Sequence, residues 1–397
     1  MRILVYDHAG HPFQVQLSRQ LSQRGHRVVH SYCNLLQTPH GKLEKTAQDS
    51  DNFEIFPVLL TEPFNRYNMI KRFIQEKQLG KKLIQNIRLF KPDVVVSSNT
   101  PIETQSLIQK HCRKSNIKFV FWLQDVLGIG IKHNVSKKIP VIGHLIGNYY
   151  IKKEKKLLKK SDAVVAISED FLSFLTGAGA QKNKLHIINN WAPLDELPIY
   201  PKSNEWSRLH DLENSFCFIY SGTLGMKHNP ELLKRLALKF RRFDNIKVVV
   251  VSEGLGADVL KAEKQKHNLE NLILLPFQPY DKLPLVLSSA DVLIGVLEKE
   301  AGIFSVPSKI LTYLCMKKPL LLAMPQENLA AKIVETNKSG LICEPDDMET
   351  FLKIAERMYN DEELRDNLAL NGYDYSQKMF NVDTITDRFE KIIANKD

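Results

Sequence analysis

The sequence predicts an α/β fold, with two doubly wound domains in tandem. Three observations predict it. Short apolar runs alternate with amphipathic segments along most of the 397 residues, as parallel strands joined by helices do. Several runs, such as Val94-Val95-Val96, are apolar without a break, which suits a sheet covered on both faces. A proline-rich break at 192–201, followed by polar residues, separates two such alternating series.

The elements follow in order. Residues 2–6 are a short apolar strand and 7–12 a turn. A helix over 13–24 carries Phe13, Leu17 and Leu21 at helical spacing, and Gly25 stops it. Further strands are expected at 27–32, 93–97, 118–123, 163–167 and 184–188. The second series places strands at 216–220, 247–251, 272–275, 291–296 and 320–323. From residue 346 on the chain reads as helices only. In doubly wound sheets ligands bind outside the carboxyl ends of the strands, so two such domains facing each other would leave a cleft between those ends.

Composition narrows the class. Apolar residues are 43% and charged residues 25%, which excludes disorder, coiled coil and collagen. Mean hydropathy is −0.24. The longest uncharged apolar stretch, near 139–151, is too short to span a bilayer, and the first residues lack the apolar core of a secretory signal. Five cysteines (Cys33, Cys112, Cys217, Cys315 and Cys343) without a CxxC pair point to a reducing compartment, without disulfides or structural zinc. The net charge of +10 is uneven. Residues 1–198 hold 29 Lys and Arg against 16 Asp and Glu, and residues 132–160 hold nine lysines and one glutamate. Such asymmetry points to an anionic partner: nucleic acid, a membrane surface or a phosphorylated substrate.

Four post-strand loops could carry chemistry. In the turn from His8 to Pro12, Gly10 permits close backbone approach and His8 and His11 could meet a phosphate or a proton. It lacks the GxGxxG fingerprint of dinucleotide binding. In 221–229, Gly222 and Gly225 free the backbone, Thr223 offers a hydroxyl and Lys227 a charge, a diphosphate cradle that is not a Walker A loop. Gly254 lies in a third turn, Ser252-Glu253-Gly254-Leu255-Gly256. In the fourth, Pro307 fits a first helical turn, Ser305, Ser308 and Lys309 would gather hydroxyls and a cation at its positive end, and Thr312 lies one turn on. Each loop also reads as an ordinary strand–helix connection.

Taken together these segments resemble glycosyltransferase family 4, the retaining sugar-nucleotide-dependent enzymes of GT-B fold, with two Rossmann-like domains. The resemblance covers nearly the whole chain. Its carriers are Gly25-His26-Arg27-Val28, Ser161-Asp162-Ala163-Val164-Val165-Ala166-Ile167-Ser168, Ile188-Asn189-Asn190-Trp191, Tyr220-Ser221-Gly222-Thr223-Leu224-Gly225, Ser289-Ala290-Asp291-Val292 and Val306-Pro307-Ser308-Lys309 leading to Lys318-Pro319. The branch it is most similar to makes exopolysaccharides of the colanic-acid type. The resemblance implies an acceptor domain at 1–198, a nucleotide-sugar domain at 199–374 and, at 375–397, a helix crossing back to the first domain.

It also implies residue roles. The family's diphosphate-binding Arg and Lys fall on Thr223 and Lys227, so only the lysine is kept. Its two glutamates, spaced E-x7-E, fall on Phe304 and Thr312, and neither is kept. Ser308 and Lys309 would supply the phosphate contacts of the missing arginine. Phe277-Gln278-Pro279 sits where the family holds the base. Asp125, in Trp122-Leu123-Gln124-Asp125, is the expected acceptor-orienting or proton-accepting carboxylate, or equally a cap on the next segment; His8 and His11 would stand near the reacting centre. A nucleotide-diphosphate sugar is the donor substrate. No separate cofactor or metal is expected, because no DxD-type ligand set stands where one would be needed.

The lysine-rich stretch adds a partner. Ile142, Leu145, Ile146 and Tyr149 share a helical face, next to Lys152, Lys153, Lys155, Lys156, Lys159 and Lys160. Apolar residues beside lysines suit an interfacial helix on anionic lipid; the other reading is a solvated face over ordinary core contacts. No nucleic-acid-binding module accompanies the charge. The resemblance adds glycan or polyprenyl-phosphate-linked acceptors and a cytoplasmic protein at the inner face of a membrane. The expected activity is a retaining, hexosyl-type transfer in polysaccharide or glycoconjugate synthesis. A nucleotide-sugar epimerase of the same fold and a non-catalytic partner subunit are the alternatives.

Overall fold

The computed structural model describes residues 1–35, 41–65, 68–225, 228–299 and 307–394. The chain divides into two compact units, Met1–Asn190 with the chain from Val382 onward, and Trp191–Asn381. The boundaries expected from the sequence were 198 and 375.

The first unit runs β1 (Arg2–Asp7), α1 (Pro12–Gln23), β2 (Arg27–Cys33), β3 (Phe53–Val58), α2 (Met69–Phe90), β4 (Val94–Ser98), α3 (Ile102–Lys114), β5 (Lys118–Leu123), α4 (Leu127–Lys138), α5 (Pro140–Lys160), β6 (Ala163–Ala166), α6 (Leu172–Gly177) and β7 (Leu185–Ile187). Its sheet is parallel, in the order β3-β2-β1-β4-β5-β6-β7. The apolar runs are central strands: Ile3, Leu4, Val5 and Tyr6 are wholly buried. Proline opens α1, and Gly25, at φ +87°, supplies the left-handed residue that lets the chain leave it.

β3 was not expected. It is an edge strand, half-exposed over Glu54, Ile55 and Phe56 and interrupted by Pro57, so it lacks the continuous apolar signature of its neighbours. α4 and α5 form a helical hairpin that breaks at Ile139-Pro140. Its contact is made through glycine. A Cβ on Gly143 would stand 2.6 Å from the Val135 carbonyl, and one on Gly147 2.5 Å from the Lys132 Cβ.

The second unit runs α7 (Glu205–Leu209), β8 (Phe216–Ser221), α8 (Pro230–Phe240), β9 (Ile246–Val251), α9 (Leu255–His267), β10 (Leu272–Leu275), α10 (Leu283–Ser288), β11 (Val292–Val296), α11 (Ser308–Leu314), β12 (Leu320–Ala323), α12 (Leu329–Thr336), β13 (Gly340–Cys343), α13 (Met348–Asn360) and α14 (Glu362–Met379). Its parallel sheet has the order β10-β9-β8-β11-β12-β13. Its core gathers Phe218, Tyr220, Leu236, Phe240, Val248 and Phe351. β13 was also unexpected, a four-residue edge strand in a segment too short to show a period.

The last helix, α15 (Val382–Ala394), belongs to the first unit and packs on α1. Tyr375, where that return was expected to start, stands inside α14. Phe389 of α15 places its ring 4.8 Å from that of Trp122, which in turn lies 5.7 Å from Phe13. Around this buried aromatic contact, Arg24 bonds Asp387 at 2.5 Å and Glu390 at 2.7 Å, and His26 meets Glu390 at 2.8 Å. Among the described residues no helix is long and apolar enough to cross a membrane, and no group of three or more His, Cys, Asp or Glu side chains could hold a metal ion. All five cysteines are free and buried.

Candidate active-site residues

In the first unit the candidates gather at the carboxyl ends of β1, β4 and β5. Asp7 closes β1 and is wholly buried. Its carboxylate builds the turn that follows, accepting the Ala9 amide at 3.0 Å and the His11 amide, and it meets His11 Nδ1 at 3.1 Å. Gly10, at φ +69°, permits that tight course. Asn99, at the end of β4, reaches His11 Nδ1 at 3.3 Å.

Charge sets the two histidines apart. Burial alone would lower the His11 imidazolium; the Asp7 carboxylate, helped by Asp125, outweighs it and the net shift is upward. Burial would likewise raise Asp7, but His11 and then His30 hold it below the usual carboxylate range. His8 moves the other way. Burial drives it down to about 4, against the pull of Asp7, so it is neutral at pH 7. Its Nδ1 lies 2.9 Å from the Tyr6 hydroxyl and its ring packs on Phe64.

Asp125 follows β5 and is half-buried. It is close enough to His11 for its charge to register there. The first amides of α4, those of Leu127 and Gly128, go to Glu154 rather than to Asp125.

In the second unit the loops after β8 and β9 pack backbone to backbone. Gly256 donates its amide to the Leu224 carbonyl at 2.9 Å, and a Cβ on Gly254, at φ +115°, would lie 3.3 Å from that oxygen. Gly222 adopts φ +122°, and a Cβ there would meet the Lys309 ammonium at 3.0 Å. Lys309 rests on Tyr220, donating to its hydroxyl at 2.6 Å, and that hydroxyl donates to the Thr223 carbonyl at 2.8 Å. One turn on, buried Tyr313 ties α11 to the end of β8: its hydroxyl accepts the Ser221 amide and donates to the Ser221 carbonyl, both at 2.9 Å.

So the structure brings Gly222, Thr223, Gly254 and Lys309 together. Pro307 directly precedes α11, and Ser308 opens it and is exposed. The Thr312 hydroxyl lies 3.5 Å from the Ser308 carbonyl, one turn back along its own helix. Phe277 is half-buried after β10, beside Gln278, which accepts the Trp206 indole N–H at 3.1 Å. Lys227, Phe304 and Ser305 lie outside the described residues. Sequence reasoning missed Asp7, Asn99, Glu154, Tyr220 and Tyr313, each of which works through partners remote in the chain or through backbone amides.

Known proteins share the family and the fold of this chain. A model described as Glycosyltransferase Family 4 matches residues 14–196, and one described as Glycosyl transferases group 1 matches residues 203–375. A putative colanic acid biosynthesis glycosyl transferase, WcaI of Escherichia coli, is 21% identical over 274 residues, 67% of this chain and 66% of that protein, just under two thirds of its length. Among solved structures, sucrose-phosphate synthase of Thermosynechococcus elongatus is similar with a TM-score of 0.75 and 14% identity, covering 99% of this chain and 98% of that one. HepE of Anabaena, in complex with UDP-glucose, gives 0.72 at 15% identity, covering 99% of both chains. With one family model on each of its two parallel-sheet units, the chain belongs to the family 4 glycosyltransferases of GT-B fold.

Proposed function

We propose that this glycosyltransferase works with retention of configuration, moving a hexosyl group from a nucleoside-diphosphate sugar held by the second unit to a glycan or polyprenyl-phosphate-linked acceptor that Asp125 and His11 serve. The observation that carries the reading is the Lys309 ammonium seated beside the left-handed backbone of Gly222. A glycine loop next to a fixed cation is suited to a diphosphate, whose negative charge grows as the bond to the anomeric carbon breaks. Asp125 orients the acceptor hydroxyl or takes its proton, and His11, whose imidazolium form Asp7 favours, stands near it. HepE was solved with UDP-glucose, so that compound is the first donor to try. The test is a panel of sugar nucleotides, read by thermal shift and product formation, with the product's anomeric configuration determined by NMR. Binding of a donor and transfer with retention are expected; no shift with any donor overturns the proposal, and turnover without an acceptor to an isomerised sugar nucleotide points to an epimerase.

The same reading places the enzyme on the cytoplasmic face of an anionic membrane. α5 exposes Val141, Ile142, Leu145 and Tyr149, with Leu145 68% exposed, and Lys152, Lys156, Lys159 and Lys160 follow. An open groove of about 410 Å³ between α4 and α5 is lined by Lys132, His133, Ser136, Lys137 and His144. Exposed apolar side chains beside a cationic groove suit the boundary of an anionic bilayer. Lys153 departs from the expected basic face. Its ammonium lies 2.5 Å from the buried carboxylate of Glu103, because α5 packs on α3 there. Sedimentation with vesicles of phosphatidylglycerol, and not of phosphatidylcholine, is expected; equal recovery in the supernatant with both overturns the membrane assignment.

A further inference from the structure

Glu154 is the one acidic residue between 132 and 160, and it is 1% exposed. Its side chain turns to the first turn of α4. Oε1 accepts the amide of Leu127 and Oε2 that of Gly128, both at 3.0 Å. The carboxylate thereby satisfies two of the amides that a helix start leaves without intrahelical partners, at the positive end of a 12-residue helix. Gly128 makes this possible. A Cβ there would stand 2.8 Å from Glu154 Oε2 and 3.1 Å from the Ile151 Cα. Asp125 lies two residues before Leu127, so the two bonds hold the segment that carries it.

The two carboxyl groups also share a cavity. Its walls include Asn99, Thr100, Gln105, Gln124, Asp125 and Glu154, and its volume of about 10 Å³ is that of one oxygen-sized guest. Gln105 and Gln124 are 1% and 6% exposed, and the Nε2 atom of each is buried without a hydrogen-bond partner. The other amide end of each is engaged, Gln105 Oε1 by the Ser97 hydroxyl at 2.6 Å and Gln124 Oε1 by Asn190 Nδ2 at 2.6 Å. Two glutamines with unmet donors and two carboxyl-bearing residues line this one small space, a set suited to a single hydroxyl or water oxygen.

We infer that Glu154 is a positioning residue for glycosyl transfer: it fixes the Asp125 segment against α4 and shares with Asp125 the seat of one polar oxygen. The inference rests on the reading that Asp125 serves the acceptor. The neighbouring charges isolate this pair. Glu103 of α3 is engaged by Lys153 and Tyr149, and Glu76 of α2 by Arg72. Asp125 is the charge that registers at Glu154, from the segment leading into α4. Burial pushes Glu154 up to about 7, against its two amide bonds and with a further push from Asp125. A proton on Glu154 sets an O–H against one of the two N–H groups, so one bond is lost as pH falls and the segment loosens.

Two measurements test this. Turnover of the donor found by the panel is followed between pH 5.5 and 8.5. Glu154→Gln, which keeps one acceptor oxygen, lowers kcat roughly tenfold, the loss of about one hydrogen bond to a charged group, leaves the donor KM within about twofold, and loses the acidic limb of the wild-type profile. Gly128→Ala repeats the kcat effect. Unchanged kcat with the acidic limb intact in Glu154→Gln overturns the inference, as does a loss of kcat with the limb intact, which marks a merely structural role. Asp125→Asn distinguishes the underlying reading: full activity there removes Asp125 from the reaction, whatever Glu154 does. The second measurement needs no substrate. A folded value raised above the unfolded one stabilises below the unfolded pKa, and that stabilisation is lost as pH rises through the folded value. The wild-type Tm therefore falls relative to that of Glu154→Gln between pH 5 and 8, and a difference constant over that range overturns the inference.

Discussion

Lys309 sets its ammonium on the phenol of Tyr220, 2.6 Å from the hydroxyl and 3.9 Å from the ring centroid. The contact holds a long side chain in one place beside the loop after β8, so little of its freedom remains to be lost when an anion arrives. Lys309→Met should therefore weaken nucleotide-sugar affinity tenfold or more, the equivalent of about 1.5–3 kcal/mol for a charged hydrogen bond. Tyr220→Phe, which keeps the ring, should weaken it less. Titration calorimetry with the panel donor reads both, and equal affinity in Lys309→Met removes the lysine from the donor site.

Gly222→Ala tests the backbone on the other side of that ammonium. At φ +122° any side chain is strained, and the new methyl would press on Lys309 at 3.0 Å. A stability loss of about 1–3 kcal/mol is expected from the strain alone, with donor affinity falling as well. Urea unfolding gives the first quantity, and an unchanged midpoint excludes the strain.

The Asp7–His11 pair has a pH signature. The folded value of His11 lies above its ordinary 6.5, so the pair's contribution to stability is complete below about 6.5 and is lost as pH rises through the folded value. Asp7 is held below its ordinary value, so its contribution is lost as pH falls through that lowered value. In imidazole NMR titrations His11 should titrate above 6.5 and His8 near 4. Asp7→Asn should bring His11 down, and a His11 midpoint unmoved by that change would exclude the pairing as its cause.

Membrane binding should divide between two sets of residues. Replacing Lys152, Lys155 and Lys156 with alanine costs about 1 kcal/mol each, roughly a hundredfold in partitioning to phosphatidylglycerol vesicles, and the loss should shrink at high salt. Ile142→Ser with Leu145→Ser should weaken binding at every salt concentration. Lys153→Ala behaves differently: it strands buried Glu103 and lowers Tm. Equal sedimentation of all three variants would place the contact elsewhere.

α15 offers a contrast of magnitudes. Phe389 is wholly buried against Trp122, so Phe389→Ala should cost about 3–5 kcal/mol. Arg24 meets Asp383 and Asp387, which are 67% and 59% exposed, and Arg24→Ala should cost under about 1 kcal/mol for each such pair. Chemical denaturation orders the two, and the reverse order would show that charge rather than packing retains the helix.

Much of the fold was legible because central parallel strands are continuous apolar runs, as at Val94-Val95-Val96 and Leu320–Ala323. The edges were not. β3 is half-exposed over Glu54, Ile55 and Phe56 and contains Pro57, and β13 is four residues long. At the site, glycines and charged residues after strands were legible by type: Gly222, Gly254 and Lys309 do come together. Glu154 was not, because its partners lie 26 and 27 residues upstream and are backbone amides without a side-chain signal. Asp7 was hidden for a related reason, since a buried carboxylate at a strand end differs from a solvated one only in three dimensions. The apolar face of α5 was read correctly as a helical stripe, but the glycines opposite it, which seat α4, carried no hydrophobic signal of their own.

The return of α15 to α1 makes the second unit an insertion within the first. Residues 191–381 are one uninterrupted length of chain, whereas the first unit is completed only after that length has been synthesised. A protein ending at residue 190 would leave the Trp122 face uncovered where Phe389 belongs. During translation the first unit therefore waits for its final helix, and a stop codon before residue 382 harms the part of the enzyme encoded first. Joining residues 382–394 to residue 190 through a short flexible linker should restore that half as a separate protein.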